Sequence, residues 1–297
     1  MHDKKASTLI NPHNGNLAFK IFSFEDNHSF DHLQRHNYYS VILMKSGTYT
    51  LKADVSEYAL EGSAMMCFAP YQPFMIRSHS PVCGWAVQFH PDFFCIHKHD
   101  REVACNGVLF NTIYEPPYLA LDEHDTAKFC DILLQMLEEM NASGLAQYEL
   151  LVSHLKIFLI HAARLKVQQL NATKEMASEI LPDRREPFIL QNLKDAVEQH
   201  YHTKHSASDY ADLLNISAKA LAKITKRYYH KTLTDIIAER IIIEAKRELY
   251  LTSKTVKEIA YELGFNDEHY FSRFFKTNAD VSPQMYRDTV GFARGEV

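Results

Sequence analysis

The chain has no apolar run near the roughly 18 residues that a membrane-spanning helix needs. Its first residues, MHDKKASTLINPHNG, lack the apolar core of a secretion signal, so a cytoplasmic location is expected. Cysteine is sparse. Cys67, Cys83, Cys95, Cys105 and Cys130 are odd in number and contain no CxxC pair, which argues against a disulfide or zinc framework and for reduced core thiols. No phosphate loop, GxSxG elbow or nucleophile–base–acid set is present, so nothing calls for an enzyme or for a cofactor. What is present, 46% hydrophobic and 23% charged residues over 297 positions, excludes the disordered, collagen-like and disulfide-miniprotein classes and favours two domains.

Charge is divided unevenly. Residues 1–186 hold 16 Lys and Arg against 22 Asp and Glu, a net −6, while residues 187–297 hold 16 against 15, a net +1. Only the second half leans toward a polyanion, and the placement of its cations has to decide whether it meets one.

Periodicity divides the chain at the same place. Short β-type runs at Leu17–Phe24, Tyr39–Lys45, Thr48–Ala53, Ala64–Ala69, Phe74–Arg77 and Gly84–His90 alternate with turn residues, as in a sandwich or small barrel. The period then changes to that of amphipathic helices over 124–141 and 145–169, turning at Ser143–Gly144. Polar, Pro-flanked residues 171–187 read as an interdomain linker. Helices are expected at 188–202, 208–214, 218–229, 233–251, 256–263, 267–277 and 283–288. A capping box at Thr255-x-x-Glu258, the Ser282-Pro283 start and Gly264 as a C-terminal stop support them.

Within this helical half one pattern occurs twice, at Ser208–Tyr229 and Val256–Asn278. Ala211 and Leu214 align with Ala260 and Leu263, and Asn215-Ile216 with Gly264-Phe265. After one inserted residue, Leu221 aligns with Phe271 and Lys226 with Lys276. Short helix, tight turn and second helix make a helix-turn-helix, whose second helix enters the major groove of double-stranded DNA. The candidate DNA-binding residues are Ala218, Lys219, Ala222, Lys223, Lys226 and Arg227 in the first copy. In the second they are Asp267, Glu268, His269, Ser272, Arg273 and Lys276. Lys and Arg suit phosphates or guanine, and Asp and Glu can accept from cytosine. The bland alternative, a charged solvent face on an amphipathic helix, loses weight because both copies carry cations on the second helix.

The text at Val256–Phe265 and Tyr270–Lys276, followed by Ser282-Pro283 and Tyr286-Arg287, strongly resembles the AraC/XylS family of transcription regulators over about the last 100 residues. The resemblance implies a seven-helix DNA-binding domain with two helix-turn-helix units joined by a long helix through Leu233–Leu251. Lys223 and Ala218 stand where the family often has Arg and Pro. Looser matches at His36-Asn-Tyr38, Ser46-Gly47, Tyr58–Gly62 and Pro70–Pro73 imply a cupin-like β-barrel sensor with two dimerisation helices.

The expected architecture is therefore α+β in two domains: a cupin-like sensor and dimerisation domain over 1–170, the linker 171–187, and the DNA-binding domain over 188–297. Seven histidines, His28, His32, His36, His79, His90, His97 and His99, lack the ligand spacing of an enzymatic cupin, so no metal is expected. Tyr49 and Trp85 lie on alternating strand faces that either fill the barrel or line a pocket. With His36 and with Phe74, which stands where relatives often carry His, they are the candidate contacts of a small organic effector. The stripe through 145–169, with Leu155 and Leu159 at its centre, is the candidate homodimer seam, and RNA polymerase is a further candidate partner. The competing readings are a cupin-type metal enzyme carrying a DNA-binding appendage and a barrel that dimerises without sensing.

Overall fold

The computed structural model describes residues 6–12, 15–26, 28–142, 144–180 and 185–291, with side chains described outside 174–187. In chain order the elements begin with β1 (Ser7–Ile10), β2 (Leu17–Phe24), β3 (Tyr39–Ser46), β4 (Thr48–Ala53), β5 (Ser56–Glu61), β6 (Ala64–Phe68), β7 (Phe74–Ser78) and β8 (Cys83–Phe89). They continue with α1 (Asp100–Val103), β9 (Tyr118–Ala120), α2 (Glu123–Asn141) and α3 (Gln147–Ile180). The remaining helices are α4 (Arg185–His200), α5 (Ala207–Leu213), α6 (Ala218–Tyr229), α7 (Leu233–Leu251), α8 (Val256–Glu262), α9 (Glu268–Ala279) and α10 (Pro283–Val290). They form two compact units. The first runs to Leu170 apart from Ile113–Glu115, which group with the second.

The first unit holds two sheets, one ordered β1-β2-β8-β3-β6-β9 and the other β5-β4-β7. No ladder joins the ends of either sheet among the described residues, so the strands form open sheets rather than a closed hydrogen-bonded barrel. The large sheet is buried on both faces. Its outer rows, Ile21–Val87–Val41–Cys67 and Trp85–Leu43–Met65, pack against α2 and α3. Its inner rows include Phe22–Ala86–Ile42–Met66 and share a core with Tyr49, Leu51, Phe74 and Ile76 of the small sheet. Apolar residues on both sides of β3 and β6 follow from this double burial.

Helix α3 seals one edge of the large sheet. The carbonyl of Pro117 and the amide of Leu121 bond toward β6, which turns the carbonyls of Pro116, Tyr118 and Ala120 outward. The ammonium of Lys166 donates to the Pro116 and Tyr118 carbonyls, and Gln169 Nε2 donates to Ala120 at 2.6 Å. A bare strand edge, open to pairing with another chain, is thereby covered.

Two expectations change here. The stretch 171–180, read as part of a linker, continues α3, while 181–184 lie outside the described residues. Its Ala, Met, Lys and Glu residues are strong helix formers, and lack of an apolar stripe says only that no face must be buried. Leu155 and Leu159 are fully buried against the unit's own sheet and are not available to a partner.

The second unit is built around α7. Leu233, Ile236, Ile237, Ile241, Ile242, Ala245 and Leu249 are buried, and α7 packs on α4 and α6 at one end and on α8, α9 and α10 at the other. Thr232 and Asp235 form a capping box at its start, and the Arg287 guanidinium donates to the carbonyls of Leu249 at 3.1 Å and Lys254 at 2.6 Å beyond its end. Gly264, in the turn after α8, has φ +81, and a side chain there would collide with the His202 carbonyl. Both backbone conformation and close approach therefore require glycine. Gly264→Ala is expected to lower the stability of this unit by about 1–3 kcal/mol, read from its thermal or urea midpoint. An unchanged midpoint would mean that the turn relaxes without loss.

Candidate nucleic-acid interface

The two repeats fold identically at the level of backbone hydrogen bonds. In the first, Leu214, Asn215 and Ile216 amides donate to the carbonyls of Tyr210, Asp212 and Ala211 at 3.0, 3.2 and 3.0 Å. In the second, Leu263, Gly264 and Phe265 donate to Ile259, Tyr261 and Ala260 at 3.0, 3.0 and 2.9 Å. Asn215 and Gly264 both occupy the left-handed region, with φ of 52 and 81, where Asn and Gly are the residues best tolerated. Ala211 and Ala260 are buried where the helices cross, and Ile216 and Phe265 pack into the angle beneath the turn.

The turn then delivers each second helix with a side-chain cap. The Ser217 hydroxyl accepts from the Ala220 amide at 3.2 Å, and the Asp267 carboxylate accepts from the Tyr270 amide at 2.7 Å. Leu221, Ile224 and Thr225 bury one face of α6, and Phe271 and Phe275 one face of α9. The opposite face of α6 exposes every residue singled out from the sequence: Ala218, Lys219, Ala222, Lys223, Lys226 and Arg227. That face holds four cations and no carboxylate. On α9, His269, Arg273 and Lys276 are exposed, and Glu268 and Ser272 are partly buried. Asp267 differs in kind, because its carboxylate is committed to the helix end.

Periodicity alone missed Tyr270. It is exposed beside His269 and Arg273, with its ring 5.8 Å from that of Phe265. An aromatic residue in an apolar-rich run reads as core, and only its phase on the helix shows otherwise. The four residues proposed for an effector do not meet. Tyr49 and Phe74 are core between the sheets, Trp85 lies on the outer, helix-facing side, and His36 borders a cavity. Strand alternation put Trp85 and Tyr49 each on a face, but it could not say that the two faces belong to different cores.

A family model described as a helix-turn-helix domain matches residues 210–289. The chain is 28% identical over 124 residues, 42% of its own length and 74% of the other's, to an uncharacterized HTH-type transcriptional regulator in the cgkA 5′ region of Pseudoalteromonas carrageenovora. It is 22% identical over 270 residues, 85% of this chain and 86% of the relative, to the HTH-type transcriptional activator RhaS of an Enterobacter species. Among solved structures, it is similar to the C-terminal domain of the two-component response regulator yesN from Fusobacterium nucleatum. That match has 26% identity and a TM-score of 0.32, and covers 33% of this chain and 95% of that one.

Two helix-turn-helix units on one rod, each presenting its second helix outward, make this a DNA-binding transcription regulator. Residues 210–289 carry the helix-turn-helix domain, and the relatives to which the chain is similar are transcription regulators.

No helix among the described residues is long and apolar enough to cross a membrane. Among the same residues no group of three His, Cys, Asp or Glu side chains could hold a metal ion.

Asp267 offers a direct check on its capping role. The Tyr270 amide, accepted by the carboxylate, holds its pKa below the usual Asp value of 3.8. A group with a depressed folded pKa stabilises above its unfolded pKa and loses that contribution as pH falls through the folded one. Asp267→Ala should therefore speed hydrogen exchange at the Tyr270 amide at neutral pH, and Asp267→Asn should largely restore protection. In the native chain the protection should fade only as pH falls below the ordinary Asp pKa of 3.8. Equal exchange in all three proteins would remove the cap from the account.

Proposed function

We propose that the chain is a cytoplasmic, homodimeric regulator in which a sensor region over 1–170, of cupin-like architecture, controls DNA binding by residues 188–297. Residues 171–187 join the two. The observation that carries the DNA-binding half is the duplicated turn geometry, which offers two recognition helices on one support. Helix α7 has 19 residues, about 28 Å at 1.5 Å per residue. That length suits two successive major-groove turns on one face of B-DNA, roughly 34 Å apart. A monomer then covers a non-palindromic site of about two turns.

In this reading Lys219, Lys223, Lys226 and Arg227 make α6 the more electrostatic of the two readers, and the mixed charge of α9 supports discrimination between bases. Lys226 and Lys276 serve phosphates, Arg273 reads a guanine edge, and Tyr270 supplies an apolar contact near the start of α9. RNA polymerase is a partner proposed from kinship with transcriptional activators. The reading assigns no catalysis to the chain. A salt titration of duplex binding by fluorescence anisotropy tests these roles. Lys226→Ala should weaken all sequences alike and lower the salt slope by about one. Arg273→Ala should cost about 1–3 kcal/mol at one base pair and relax preference there. Equal losses on cognate and scrambled DNA for both variants would reduce Arg273 to a phosphate contact.

Dimerisation is supported by a second apolar stripe on α3. Leu151, Leu155, Phe158, Leu159 and Ala162 are buried inward, whereas Leu150 and Ile157 are 44% and 46% exposed on the other side. Leu150→Asp with Ile157→Asp should yield a folded monomer by light scattering. Leu155→Asp with Leu159→Asp should unfold the first unit instead, because it buries two charges in the core. A folded dimer from the first pair would move the interface elsewhere.

A further inference from the structure

The two second helices superpose position by position, because Leu221 matches Phe271 and Lys226 matches Lys276. Ala218 then stands where Glu268 does, Lys219 where His269 does, Ala222 where Ser272 does and Lys223 where Arg273 does. At two of these positions α9 offers a carboxylate and a hydroxyl, which can hydrogen-bond to base edges. At the same two positions α6 offers only methyl groups.

Those methyls do not belong to the core. Ala218 and Ala222 are both exposed, whereas Ala220 between them is partly buried and Leu221 is buried. Four residues apart, they lie on one face, about 6 Å from each other along the axis at 1.5 Å per residue. Lys219 and Lys223 repeat the same step beside them. The neighbouring hydroxyls are engaged with the backbone. Ser217 accepts from the Ala220 amide at 3.2 Å, and buried Thr225 donates to the Ala222 carbonyl at 3.1 Å. The exposed side chains of α6 are therefore two methyls and four cations, and neither kind accepts a hydrogen bond.

What such a surface can distinguish follows from the base edges. Adenine N6 and cytosine N4 are donors in the major groove, and these side chains have nothing to receive them. Guanine O6 and N7 suit a lysine, but an ammonium on a flexible stem pairs as readily with a phosphate, so the cations alone select little sequence. The thymine C5-methyl is the base feature that an alanine side chain meets favourably. A side chain of one carbon also lets the helix axis approach the groove floor, where that methyl projects.

We infer, resting on the reading of α6 as a groove-entering helix given above, that Ala218 and Ala222 determine specificity by packing on thymine methyls in one half of the site. The probe is a duplex selected by the full chain from a random library, with each thymine in turn replaced by deoxyuridine, which lacks only that methyl. At one or two positions affinity should fall about fourfold, the loss expected for one buried methyl. The salt slope should not change, since no charge is involved. Ala218→Gly or Ala222→Gly should abolish the penalty at one such position. The base pair whose preference is relaxed by Arg273→Ala should lie in the other half and keep its effect in both glycine variants. Because glycine loosens a helix, a second measurement uses the native chain. Cytosine placed at a penalised position should bind about fourfold better when it carries a 5-methyl group. A flat deoxyuridine scan overturns the assignment, as does a penalty that persists in both glycine variants or a 5-methyl group without effect. Penalties confined to the half marked by Arg273 overturn it too, while α6 remains a reader. Failure to enrich any duplex removes the DNA-reading roles of both helices, and this assignment with them.

Discussion

Helix α7 is buried along both flanks, and the second unit follows from that constraint. Ile237, Ile241 and Ala245 cannot face water on one side without opening a helix-turn-helix unit, nor on the other without opening its twin. Each repeat is too small to hold a core of its own. Its short first helix, α5 or α8, contributes only two buried residues, so most of the burial must come from the shared rod. The polar fixings add direction to this non-directional burial. Arg240 lies between Glu198 and Glu244 at 2.8 and 3.0 Å with its guanidinium over the Tyr201 ring, and Lys254 bridges Glu248 and Glu262 at 2.8 and 2.6 Å. Exposed bridges of this kind contribute little energy, but Arg240 is largely buried and selects one orientation of α4 on α7.

In the first unit the corresponding constraint is a sheet with two cores. The outer face must be covered by helices, which commits one stripe of α3 to the interior and leaves the other as the surface available to a second chain. The inner face is covered by a smaller sheet of three strands against six. That mismatch in size leaves part of the inner face without an opposing strand, and the cavity bordered by His36 lies there beside a polar row of Lys20, Gln88 and Ser40.

The helical half was legible in the sequence because its rules are local. Caps at Thr255 and Ser282, the stop at Gly264 and the phase of Leu221 or Phe271 all act within a few residues, and each element begins within a residue or so of its expected place from α5 onward. The β half was legible where strands are apolar and central. Ser7–Ile10, Ser56–Glu61 and Tyr118–Ala120 were not, because two are very short and the third alternates with glutamates at a sheet edge; Tyr118–Ala120 is in addition held by a strand distant in sequence. The cavity residues were hidden for the same reason. Lys20, Gln88 and Ser40 are separated by tens of residues, and a lone lysine or glutamine in a strand looks like a solvent-facing position until cross-strand register joins them.

The contact between Gly264 and the His202 carbonyl reaches beyond the fold. With the His205 ring 4.9 Å from Phe265, it locks the turn of one reader against the segment leading into the other. In the proposed reading this packing holds the two helices at one separation on the DNA. Inserting or deleting one base pair between their contact points would rotate one half of a promoter element by about a tenth of a turn relative to a protein that cannot follow. Sites for such a reader should diverge over time by base substitution and keep their internal spacing. A regulon assembled around this chain would then share a fixed ruler even where its members share little sequence.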